Sequence, residues 1–88
     1  MLTTRRVVIH RQSGEVCAPI RYYHTKHYRN HCISQAGLSD QAQWLADRDI
    51  QLMIELVRYK QSRKHLLSTV LYADLTDSQH VEYVMTWG

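Results

Sequence analysis

Proline occurs once and glycine three times in this 88-residue chain, so it holds no linker and no low-complexity segment. The whole of residues 1–88 is therefore expected to form a single compact domain. No apolar run approaches the 18 or more residues of a membrane span, and only three apolar residues follow the basic Arg5-Arg6 pair. That start does not make a secretory signal, so a soluble cytoplasmic protein with no membrane partner is expected. There are two cysteines, Cys17 and Cys32, and no Cys-x-x-Cys pair. In a reducing compartment both are expected to be free thiols.

Catalytic signatures are missing as well. The chain has no glycine-rich phosphate loop, no Gly-x-Ser-x-Gly and no His-Glu-x-x-His. So small a core rarely provides a lined pocket with a base held by a third group. The expectation is a binding protein that is not an enzyme and carries no cofactor.

Charge is present, and it is uneven. Residues 1–36 hold six cations (Arg5, Arg6, Arg11, Arg21, Lys26 and Arg29) against one anion, Glu15. Residues 37–88 hold five cations against seven anions, leaving an overall charge of +3. The first third therefore projects a positive field that attracts polyanions.

Local signals predict an α+β fold: an N-terminal β-hairpin packed on three or four helices. Thr4–His10 is β-branched and apolar at Val7, Val8 and Ile9. Gln12-Ser13-Gly14-Glu15 has turn chemistry, and Val16–Tyr23 resumes as a second strand that Pro19 confines to an edge. Residues 26–35 read as a short helix stopped by Gly37, which suits a left-handed residue. Next, Asp40 with Gln43, or Ser39 as the rival cap, opens a helix or pair of helices. Its apolar face runs through Leu45, Ile50, Met53, Leu56 and Val57 to about Tyr59. Asp49 interrupts that face, as a second cap or as a buried acid. After a bend near Gln61-Ser62, Leu66, Leu67, Val70 and Leu71 suggest another helix to about Tyr72. Thr76 and Gln79 complete a capping box for a last helix, although alternation from Val81 to Trp87 also fits a third strand at the C-terminus.

Three candidate sites emerge. His24, His27 and His31 beside Cys32 could suit zinc, but the spacing is irregular and Cys32 would point away from His31 on a helix. No metal is expected. Residues 20–31 interleave Arg21, Lys26 and Arg29 with Tyr22, Tyr23 and Tyr28. Cations neutralise phosphates and exposed tyrosines stack on bases. This makes Arg5, Arg6, Arg11, Arg21, Tyr22, Lys26, Tyr28 and Arg29 a nucleic-acid-binding face for DNA or RNA. A helix-turn-helix at residues 63–87 is less favourable, because Asp77 and Glu82 would face phosphates.

The rival reading is a protein-interaction module: an inhibitor, an adaptor or a homodimeric regulator. Trp44, Trp87, Met53 and Met85 are residue types that anchor interfaces. The two readings separate on one feature. Exposed Tyr and Arg together in residues 20–31 favour nucleic acid, whereas buried Tyr with an apolar patch elsewhere favours a protein partner.

Overall fold

A computed structural model describes residues 3–88. Among them are three strands, three α-helices and one short 3-10 turn, so the fold is α+β. Strand β1 spans Arg5–Glu15, α1 Lys26–Gln35, α2 Ser39–Asp47, β2 Met53–Gln61, β3 Lys64–Leu75 and α3 Asp77–Trp87. The sheet is antiparallel in the order β1-β3-β2, so the longest strand lies at its centre.

The expected N-terminal hairpin does not form. β1 continues straight through Gln12–Glu15 and pairs with β3 as far as Glu15 opposite Leu66. Backbone groups that a turn would have satisfied locally are instead satisfied by the ladder, and Gly14 lies opposite Leu67. The expected second strand is replaced by a 3-10 turn at Ile20–His24, which Pro19 precedes. β1 carries one irregularity: the register shifts between Val8 and His10, with Ile9 as the extra residue of a bulge.

The expected central helix ends early. α2 stops at Asp47, and residues 53–61 form a strand. Leu52, Ile54 and Leu56 pack towards the helices, while Met53 and Val57 alternate onto the opposite face. A strand with apolar residues on both faces copies the i, i+3, i+4 spacing of a helix, so spacing alone does not separate the two. Asp49 is neither a cap nor a buried acid. It is exposed at φ 60° in the turn after α2, a left-handed position that Asp tolerates.

The same confusion accounts for residues 66–72, expected as a helix and found within β3. As the central strand, β3 buries Leu67, Thr69, Leu71, Ala73 and Leu75 beneath the helices, half-buries Leu66, Ser68, Val70 and Tyr72, and exposes Asp74. The anticipated bend is a tight hairpin turn, with Ser62 at φ 51° and Arg63 at φ 68°. Two consecutive left-handed residues match the right-handed twist of a two-residue hairpin. A helix-turn-helix over residues 63–87 is thereby ruled out.

Helix signals confined to a few residues are realised. α1 covers the anticipated 26–35, capped by Thr25, whose Oγ1 accepts from Tyr28 N at 3.2 Å. Gly37 has φ 70°. At α3, Thr76 Oγ1 accepts from Gln79 N and Gln79 Oε1 accepts from Thr76 N, closing the capping box. The C-terminus is thus helix, not a third strand. α2 lacks such a cap. Leu38 takes the N-cap position, Asp40 lies in the first turn, and Gln43 donates to Asp47 instead.

The core lies between the helices and one face of the sheet. Leu45, Leu71, Leu75, Cys32 and Ala73 are fully buried, with Tyr23, Tyr28, Leu38, Leu52 and Leu67 around them. Among the described residues, the fully buried side chains of β3 all lie on the face towards the helices, and the opposite face of the sheet stays partly open to solvent.

Candidate interaction surfaces

The anticipated basic, tyrosine-rich face is dispersed by the fold. Tyr28 is 9% exposed, and its hydroxyl shares a 2.9 Å hydrogen bond with Thr69 Oγ1 inside the core. Burial raises the pKa of its phenol above the ordinary value. Tyr23 is buried too, and its hydroxyl accepts from Cys17 N at 3.0 Å. Tyr22 is half-buried, and its ring makes edge contacts with Tyr23 and Tyr28. These three rings build one aromatic cluster under α1, which consumes the faces a base would need.

Two of the cations are engaged by acids and three others are exposed. Arg5 pairs with Asp77 at 2.6 Å, tying β1 to the start of α3. Arg6 donates to Glu55 on β2, and its guanidinium lies 3.9 Å from the centroid of the Tyr72 ring. The hydrogen bond to Glu55 raises the Arg6 pKa further. Arg11 is exposed and stands opposite Val70. Arg21 and Lys26 are exposed at the ends of the 3-10 turn and α1. Arg29 is half-buried; its Nη1 donates to Leu52 O at 3.4 Å, while its Nε is buried without a hydrogen-bond partner. It lines an open groove of about 440 Å³ between α1 and α2, together with Ile33, Gln43 and Leu52.

His27 and His31 stand one turn apart on α1, and His24 ends the 3-10 turn before it. His24, His27 and His31 are exposed, and among the described residues no three His, Cys, Asp or Glu side chains converge as a metal-holding group. Both cysteines are free. Cys32 is fully buried and accepts weakly from Gln12 Nε2 at 3.5 Å. Burial raises its thiol pKa, which suppresses thiolate reactivity.

Two surfaces appear that sequence reasoning had not assembled. The first is the uncovered face of the sheet. Strict alternation in the register places Val8 beside Tyr72 and Met53, Arg11 and Glu55 either side of Val70, and Leu66 beside Tyr59. Val57 is 49% exposed there, with Val8, Met53 and Tyr59 above one-third. The signal was the period-2 spacing of Met53, Val57 and Tyr59, hidden because the same stretch also fits a helix. A narrower stripe on α3 exposes Val81, Val84 and Met85.

The second surface is the tip of the β2–β3 hairpin. Residues 58–65 read Arg-Tyr-Lys-Gln-Ser-Arg-Lys-His, all exposed, with four cations and no acid. The near balance of five cations and seven acids over residues 37–88 concealed it, because those acids lie elsewhere in the segment.

Compared with known proteins, the chain matches no family model, no curated protein and no solved structure.

Proposed function

We propose that this protein is a non-catalytic, homodimeric binding module, and that it pairs with a second copy through the uncovered face of its sheet. The observation that supports this reading is the apolar surface left open on β1, β3 and β2. An antiparallel sheet with one solvated face ordinarily alternates apolar-in and polar-out. Here Val8, Met53, Val57, Tyr59, Val70 and Tyr72 all point outward. Neighbouring exposed apolar side chains rimmed by polar ones, here Arg6, Arg11, Glu55 and Asp74, are a feature of interaction sites. Burial of Tyr23 and Tyr28, with an apolar patch elsewhere, also falls on the protein-partner side of the distinction drawn from the sequence.

Size and charge favour a second copy as the occupant. Three strands spaced at ~4.8 Å and about ten residues long present on the order of 450 Å² of face. Two such faces bury on the order of 1,000 Å², about the lower limit for a specific interface. Arg11 and Glu55 stand level with each other, both opposite Val70, on the two outer strands. A two-fold axis along β3 lays β1 of one copy over β2 of the other, and each Glu55, already accepting from Arg6 of its own chain, then also meets Arg11 of the second copy. Facing sheets stack about 10 Å apart, close enough for such pairs.

Sedimentation equilibrium tests this directly. A mass of twice 10.4 kDa is expected at micromolar concentration. Val57→Arg should give a folded monomer by circular dichroism, because the side chain replaced is half exposed. Arg11→Glu should weaken the dimer without unfolding it. A wild-type protein that stays monomeric into the millimolar range overturns the homodimer, as does a dimer indifferent to Val57→Arg.

A further inference from the structure

We propose that the tip of the β2–β3 hairpin is a DNA-binding arm that enters the major groove of a duplex. Arg58, Lys60, Arg63 and Lys64 supply four of the chain's eleven Lys and Arg residues within eight positions. One acid approaches them: Glu15 pairs with Lys64 at 3.1 Å, and both side chains remain more than half exposed. Arg58, Lys60 and Arg63 make no ion pair among the described residues.

Shape supports the same assignment. The first chain segment stays bonded to β3 as far as Val16, whose N–H donates to His65 O at 2.9 Å, whereas β2 and β3 stay paired through Gln61–Lys64 to the turn. Past His65, the tip at residues 61–64 is therefore the two-stranded part that extends beyond the first strand's hydrogen bonds. The molecule is elongated, 44 Å along its longest axis, and its radius of gyration of 14.4 Å exceeds the roughly 12 Å of a compact chain this long. A two-stranded ribbon fits the major groove of B-DNA, about 12 Å wide, and is an established way of reading it. Lys60 and His65 lie on one face of the ribbon, Lys64 on the other and Arg63 at the apex. Positive charge thus meets both walls of a groove, which a flat basic patch cannot do. The narrow, deep major groove of an RNA duplex would not admit it. This inference stands independently of the homodimer, although an axis along β3 would point both arms the same way.

Fluorescence anisotropy with a labelled DNA duplex of two helical turns, across a salt series, tests the proposal. Three phosphate contacts give a log–log slope of about −2.7, each contributing roughly −0.9. Lys60→Ala with Arg63→Ala should reduce the slope by about two and leave the circular dichroism spectrum unchanged. Arg21→Ala with Lys26→Ala should leave the slope unchanged. Three results would each overturn the arm: no duplex binding by folded protein at about 50 mM salt, a slope that follows Arg21 and Lys26, or single strands bound as tightly as duplex. Polyglutamate competing as effectively as DNA would also overturn it, and would assign the tip to an acidic protein.

Discussion

The hydroxyl of Tyr28 on α1 lies 2.9 Å from Oγ1 of Thr69 on the central strand, and both groups are buried. Thr69 is the buried polar residue at the heart of the sheet, at 1% exposure. The bond therefore fixes how α1 sits on β3. It also removes Tyr28 from any surface role.

Removing one partner should cost more than removing both. Tyr28→Phe leaves the Thr69 hydroxyl buried without its partner, at a cost of about 1–3 kcal/mol. Thr69→Val should cost a similar amount. In the double variant the two costs should not add, because neither group is left unsatisfied. Urea unfolding of the four proteins measures the coupling; strict additivity would mean that the hydroxyls do not interact.

The hairpin turn should be open to improvement. Ser62 and Arg63 both occupy left-handed backbone, where Asn and Gly are favoured and other residues are strained. Ser62→Asn with Arg63→Gly should stabilise the fold by about 1 kcal/mol. The same change deletes a cation at the tip, so it should raise the melting temperature while weakening duplex binding. An unchanged or lower melting temperature would show that the turn is not held in this conformation.

Alkaline pH should destabilise the protein. Burial raises the pKa of Cys32 and of the phenols of Tyr28 and Tyr83 above their ordinary values. A group that binds its proton more tightly when folded contributes stability that is intact below its unfolded pKa. That contribution is lost as pH rises through the folded value. The melting temperature should therefore hold steady to about pH 9, the ordinary thiol value, and fall above it. Cys32→Ala should flatten the first part of the decline. A melting temperature that is level to pH 11, beyond the ordinary phenol pKa of about 10, would contradict the burial of these groups.

Local sequence by itself determined where α1 stops and where α3 starts. Thr76 and Gln79 satisfy each other three residues apart, and Gly37 takes φ 70° where the chain must leave α1. Signals of that range need no tertiary partner, so they can be read before the fold is known. The choice between helix and strand for residues 50–72 was made by the tertiary structure. Leu66, Leu67, Val70 and Leu71 have helical spacing because this central strand carries apolar residues on both its covered and its open face. Gln12–Glu15 likewise gave up its turn only because β3 was long enough to pair with it. The same holds for the surface chemistry. Composition revealed that Arg5 and Arg6 are basic, but the acids that engage them, Asp77 and Glu55, come from distant parts of the chain. Only the folded register brings those charges together and leaves the hairpin tip with its own charge largely unopposed.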